Sequence, residues 1–215
     1  MLSRQKVLIL LISALNRKKK QMSKTLLDKM LFLLKMEYEM DKYVKFYNFY
    51  PHKYGPFSNN FYSDLAFLES KGFVDGRYVV DDSAAEHVQA LNAKACAAVN
   101  AIASREFDKA TIVNYVYGKY PAYTTRSRLV KRETPDIIPA IFSIGYEKKD
   151  IDLFLNLLIR NNVEIVVDVR KNPFSMNFAF TKDKLRRSLN GAGIEYSHYP
   201  QLGIEGEFRK DLNEK

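Results

Sequence analysis

Apolar positions recur every three or four residues through the first 40 residues, then, after residue 140, condense into short runs separated by helix-length spacers. The first pattern predicts amphipathic helices and the second an alternation of strands and helices. Leu8, Leu11, Ile12 and Leu15 share one face of a first helix. Ser23 is placed to cap a second, with Leu26, Leu27, Met30, Leu31 and Leu34 as its stripe. The aromatic-rich stretch Tyr43–Tyr50 leads into Pro51-His52-Lys53-Tyr54-Gly55-Pro56-Phe57-Ser58, whose glycine and prolines enforce a shaped turn. Ser58 caps a third helix, with Phe61, Leu65, Phe67 and Leu68 inward and Lys71-Gly72 at its end. Asp75-Gly76 between Phe73-Val74 and Tyr78-Val79-Val80 predicts a hairpin. Helices followed by a small hairpin suggest a winged helix-turn-helix.

Residues 82–104 are alanine-rich and helix-prone, with Ala84, Ala85, Val88, Leu91, Ala95 and Val99 as a stripe, and a further helix is expected within 107–120. These either complete the first domain or form a dimerisation arm, which leaves a homodimer open. The polar, proline-containing stretch 121–139 reads as a linker. After it, a strand at 140–144, a helix at 150–161, a strand at 164–169, a helix at 182–189 and a strand at 194–199 require crossover connections and hence a parallel sheet. The middle strand, nearly all apolar, reads as buried on both faces. The expected fold is therefore α/β: a mostly helical winged helix-turn-helix domain over 1–120, a linker, and a small α/β domain with a parallel sheet over 140–215.

Two resemblances sharpen this outline. Tyr54-Gly55-Pro56-Phe57-Ser58, Tyr62, Asp64-Leu65, Leu68-Glu69 and Gly72-Phe73-Val74 resemble the core of bacterial winged-helix domains of the Panacea and YwgA-like type. That resemblance implies roles ranging over transcription, toxin neutralisation and phage defence. Ser143-Ile144-Gly145-Tyr146, Val166-Val167-Asp168-Val169-Arg170, Asn172-Pro173-Phe174-Ser175, Ala192-Gly193-Ile194, Tyr196, His198 and Leu202-Gly203 resemble the family called domain of unknown function 488 over residues 141–205. Members of that family continue further, with a cysteine-containing segment and more helices, so the resemblance implies a partial domain here.

Composition narrows the classes. With 47% hydrophobic and 27% charged residues the chain is that of a folded protein, not a disordered or fibrous one. A net charge of +9 and a pI near 9.4 favour a polyanionic partner such as DNA or another nucleic acid. Cys96 alone supports neither a disulfide nor a cysteine zinc site, and fits a reducing cytoplasm, where it reads as a small buried side chain. The apolar run 7–12 is far shorter than the ~20 residues that span a bilayer, so no membrane association is expected. No cofactor is expected. His52, His87 and His198 lack neighbouring ligands, so no metal is expected either.

Candidate chemistry gathers at the carboxyl end of the middle strand, where open α/β sheets bind ligands. Arg170 there offers a fork suited to phosphate or carboxylate; the alternative is an ion pair with Asp168, awkward in a straight strand and accessible at a frayed end. Asp168 is a candidate general base if burial lifts its pKa, or a plain acceptor for loop amides. Asn172 and Ser175 lie in a turn, and Ser175 as a nucleophile would need His198 as base. Gly145, Tyr146, Tyr196 and His198 would join the same edge, aromatic surfaces beside Arg170 being suited to a base and its phosphate. Asp168 and Arg170 are thus the catalytic candidates, and Gly145, Tyr146, Arg170, Asn172, Ser175, Tyr196 and His198 the ligand-binding ones. Lys18, Lys19, Lys20, Lys71 and Arg77 are the nucleic-acid candidates, with helix 58–71 at the major groove and Arg77 on the wing at the backbone. Helix 58–71 also carries Asp64 and Glu69, which fit a groove reader poorly. Three readings stand side by side: a nucleic-acid-associated protein with an anion site, a protein-interaction module such as an antitoxin or phage-defence subunit, and an enzyme acting on nucleotides or nucleic acid.

Overall fold

Helix α1 (Ser3–Arg17) and helix α2 (Lys24–Tyr38) form where the apolar periodicity places them. In this computed structural model, which describes residues 1–81, 83–84, 88, 91–130 and 139–204, two compact units are present, Met1–Thr134 and Pro135–Lys215. In the first, the Ser23 hydroxyl accepts the Leu26 amide at 3.2 Å, satisfying a donor that the helix start leaves open. Leu8, Leu11, Ile12, Leu15, Leu26, Leu27, Met30, Leu31 and Leu34 are all fully buried, as their spacing predicts.

Strands β1 (Tyr50–His52) and β2 (Gly55–Phe57) pair antiparallel, with Tyr50 opposite Phe57. Gly55 makes this turn at φ +83°, and a Cβ there would lie 2.8 Å from the Tyr117 ring. Ser58 then caps helix α3 (Asn59–Ser70) by accepting the Phe61 amide, and Gly72 follows it at φ +73°. Phe67, expected inward, is 41% exposed. The helical period turns it well away from the face shared by Phe61, Leu65 and Leu68.

The expected hairpin 73–80 is reduced to one antiparallel bridge, Val74 to Val80. The Asp75 carboxylate draws the loop tight instead, accepting the amides of Arg77 and Val79 at 2.8 Å each. Helix α4 (Ala93–Ser104) packs on α1 and α2, and helix α5 (Lys109–Lys119) on α2, so both are built into the unit. Part of the expected stripe, Ala85, lies outside the described residues, as does His87. At the end of α2, Glu37 fastens α5 by accepting from Arg105 at 2.5 Å, Tyr115 at 2.8 Å, Lys119 at 2.9 Å and Tyr120 at 3.1 Å.

The start of the expected linker belongs to this unit. Tyr123 meets Phe32 edge-on at 4.8 Å, Thr124 is fully buried, and the Arg128 amide donates to the Lys53 carbonyl. Buried aromatic area outweighs the polar composition that suggested a tether.

In the second unit, helix α6 (Ile151–Arg160), strand β3 (Ile165–Asp168), helix α7 (Lys182–Gly191) and strand β4 (Glu195–His198) follow one another. β3 and β4 are parallel, with Asp168 opposite His198, as the crossover predicts. Phe154, Leu155, Leu158, Phe180, Leu185, Leu189 and Ile194 are among the buried side chains of this unit. The expected strand 140–144 is absent: Ile141 is fully exposed and Phe142 is 59% exposed. β3 is also not buried on both faces as expected. Alternation turns Asp168 inward, while Ile165 and Val167 stand about half exposed, at 51% and 48%. Among the described residues, no helix is long and apolar enough to cross a membrane.

Candidate functional site

The end of β3 delivers Asp168, and Arg170, two residues on, lies on the same side. Residues two apart face one way in extended chain, so the pair that a straight strand seemed to hinder is favoured. Arg170 grips Asp168 in bidentate fashion, Nε to Oδ1 at 2.8 Å and Nη2 to Oδ2 at 2.6 Å. Its Nη1 donates to the Phe180 carbonyl at 2.9 Å, and its guanidinium lies over the Tyr146 ring, 5.3 Å from the centroid. Tyr146 in turn stacks on Phe180 at 4.7 Å.

The carboxylate is filled. Oδ1 also accepts the Arg170 amide at 3.1 Å, and Oδ2 accepts the Tyr196 hydroxyl at 2.8 Å. A carboxylate has about four lone-pair directions, and here four donors occupy them. Burial by itself pushes the Asp168 carboxyl up, but the bonds from the Arg170 side chain and amide and from Tyr196 outweigh it, and its pKa lies below the ordinary value. Arg170 is raised, first by its bond to Asp168, and Tyr196 is pushed up to about 12 by burial and by the same carboxylate. A base needs a free lone pair and a pKa near the working pH, so this geometry makes Asp168 an anchor for the strand end rather than a proton acceptor. The guanidinium, expected to meet a ligand anion, is spent chiefly on Asp168 and Phe180, which leaves it an ordering role.

The remaining candidates divide. Tyr146 and Tyr196 join the pair directly, and His198 joins through its Nε2, 2.9 Å from the Arg170 carbonyl. Gly145 is exposed. Asn172 and Ser175 shape the loop: Asn172 Oδ1 accepts the Phe174 amide at 3.0 Å and Ser175 Oγ accepts the Asn177 amide at 3.1 Å. His198 makes its bond to Arg170 and not to Ser175, so the serine nucleophile expectation has no base in this arrangement. Among the described residues, no group of three or more His, Cys, Asp or Glu side chains is placed to hold a metal ion.

Residues 150–215 match the family model described as Domain of unknown function DUF488. The match covers the strand end just described and begins after the Gly145-Tyr146 turn. No curated protein and no solved structure matches the chain.

Sequence reasoning gave no site role to two residues of this DUF488-like segment, Phe180 and Gly203. Phe180 supplies both the carbonyl and the ring that complete the Arg170 setting. Gly203 lies so close to the chain after β3 that a Cβ would fall 2.3 Å from the Val169 carbonyl and 2.6 Å from the Lys171 amide. In the first unit a buried ion pair was also missed. Lys29 Nζ reaches Asp28 at 3.0 Å and the Pro56 carbonyl at 2.5 Å. Its signal is visible: two adjacent charges interrupt the apolar run 26–34.

The nucleic-acid candidates also separate. Asn16 Nδ2 donates to the Tyr78 carbonyl at 3.0 Å, which holds the end of α1 against the 75–79 loop. Exposed Lys18 and Lys19 follow Asn16, exposed Arg77 precedes Tyr78, and exposed Lys71 stands where α3 ends. Arg77 also pairs with Asp75 at 3.3 Å across exposed surface. Lys20 turns away from the others, its Nζ bonded to the Arg105 carbonyl, so it is not available to a phosphate as expected.

Proposed function

We propose that the chain is a cytoplasmic nucleic-acid-associated protein whose helical unit acts as a winged helix on duplex backbone. The observation that supports this reading is the Asn16–Tyr78 bond, which sets the cations after α1 beside the one on the 75–79 loop. Lys18, Lys19, Lys71 and Arg77 offer up to four phosphate contacts from segments distant in sequence. Each neutralised phosphate contributes ~0.9 to the salt slope on B-form DNA, so the expected slope of log K against log salt is about −3 to −4. Titration of the full chain with random-sequence duplex across salt concentrations tests this, and an affinity that is absent or indifferent to salt refutes it.

A second reading, docking to a protein partner as an antitoxin or defence subunit does, draws on the outer face of α3. Ser63, Ala66, Phe67 and Ser70 are exposed there and none is a cation, so that helix offers little to base edges or phosphates. On this reading a stoichiometric partner co-purifies with the chain and Phe67→Asp releases it.

A further inference from the structure

The loop leading into α7 and the outer face of that helix together expose a combination that neither pure solvation nor core packing calls for. Phe174, Met176 and Phe178 are 69%, 95% and 68% exposed within five residues. Single exposed apolar side chains are ordinary, but a cluster on a folded unit marks a surface that something covers. Directly after it, α7 turns Leu185 and Leu189 inward and shows Arg186 and Arg187 to solvent. The two parts touch: Lys184 Nζ lies over the Phe178 ring, 5.0 Å from its centroid. Asp183, the one acid of the helix, meets Arg186 with its carboxylate at 3.4 Å and accepts Arg187 Nε on its carbonyl at 3.2 Å, both across exposed surface that leaves the other guanidinium nitrogens to solvent.

We infer that this face of the second unit binds single-stranded nucleic acid, with Phe178 as a platform for a base and Lys184, Arg186 and Arg187 as partners for the adjoining phosphates. A cation lies over the Phe178 ring, yet two thirds of the residue remains open, which suits a base arriving beside a phosphate that the same cation meets. A folded duplex hides its base faces, so an exposed ring favours the single strand. An acidic peptide would satisfy the cations and leave the rings uncovered. The surface belongs to the second unit, and the inference does not depend on the helical unit binding duplex.

The test uses the full chain and fluorescently labelled oligothymidylate and oligouridylate of about 20 nucleotides, longer than a ~4–16-nucleotide site, read by anisotropy over a range of salt. Phe178→Ala is expected to weaken single-strand binding about 5- to 150-fold, the usual range for one lost base–aromatic stack. Arg186→Gln with Arg187→Gln is expected to reduce the salt slope by about 1.4, at ~0.7 per phosphate on a single strand. Both sets lie on exposed positions, and circular dichroism confirms folding. Lys18→Gln with Lys19→Gln is expected to lower duplex affinity and leave single-strand affinity as it was. Single-strand binding that survives while duplex binding fails supports this inference and removes the winged-helix reading. No salt-dependent affinity for either oligonucleotide, an affinity unmoved by both sets of variants on this face, or equally tight binding of polyglutamate overturns it.

Discussion

Arg170→Ala tests whether the strand-end pair is an anchor, since it removes three side-chain hydrogen bonds at once. Two go to Asp168 and one to the Phe180 carbonyl. Asp168, with only 4% of its side chain exposed, is left with the Arg170 amide and the Tyr196 hydroxyl. Breaking one side of a buried pair costs about 3–5 kcal/mol. A unit of roughly 80 residues has about 4–12 kcal/mol in total, so the second unit should lose a large part of its stability. Two units preclude a single unfolding free energy for the chain. The assay is therefore amide exchange read at β3, β4 and the Tyr199 amide, which donates to the Asp168 carbonyl. The same experiment carries a pH signature. Asp168 has its folded pKa below the ordinary value, so its contribution is present above about pH 4 and is lost as pH falls through the lower folded value. Arg170→Ala removes the largest of the causes that hold this pKa down, so that acid-side loss shrinks. Joint replacement, Asp168→Asn with Arg170→Met, recovers part of the loss because no charge is left unpaired. Protection in Arg170→Ala within about 0.5 kcal/mol of the parent, with an unchanged acid limb, would refute the anchor role.

Three further outcomes are expected. Gly203→Ala drives a methyl into the backbone after β3 and should cost about 1–3 kcal/mol or more in the second unit, whereas Gly191→Ala, which meets nothing within 4 Å, should be neutral or mildly stabilising by the same exchange measurement. Lys29→Met strands the buried Asp28 carboxylate and should lower the stability of the first unit by about 3–5 kcal/mol, with Asp28→Leu added on top restoring most of it, read as amide exchange within α2. Burial raises the Asp28 pKa against the pull of Lys29, so its contribution improves as pH falls, opposite in sign to that of Asp168. Glu37→Gln weakens the bonds to Arg105 and Lys119 and should loosen α5 by about 1–3 kcal/mol, seen as faster exchange confined to Lys109–Lys119.

Local rules made part of this fold legible. Ser23 and Ser58 each cap the helix that follows, because a short side-chain acceptor meets an amide three residues on wherever the backbone enters a helix. The β3–β4 pairing was legible from the length of the intervening helix. The expected strand 140–144 and the doubly buried β3 were not, since an apolar run states only that a segment can be covered and says nothing of what covers it. Within the expected linker 121–139, the packing of Tyr123 and Thr124 was not legible, because the polar composition around them gives no sign that these two are covered. The hairpin at Asp75-Gly76 shortened to a bridge because the Asp75 carboxylate takes amides that ladder carbonyls would otherwise accept.

The distribution of charge carries the functional argument further than the motif does. In the strand-end cluster, every acceptor direction of Asp168 meets a donor and the guanidinium faces inward, so the residue types that suggested proton transfer stabilise one another. Cations that can meet a ligand lie elsewhere, at Lys18, Lys19 and Arg77 on one unit and at Arg186 and Arg187 on the other, all exposed. An exposed cation in water gains little from a single partner but a useful amount from a row of phosphates, because each contact releases a condensed counterion. On the proposed reading, these exposed cations serve a polyanion and the strand-end pair serves the fold. If Arg186→Gln with Arg187→Gln alters nucleic-acid affinity while Asp168→Asn does not, the anchor and the binding face are separate features of one small domain.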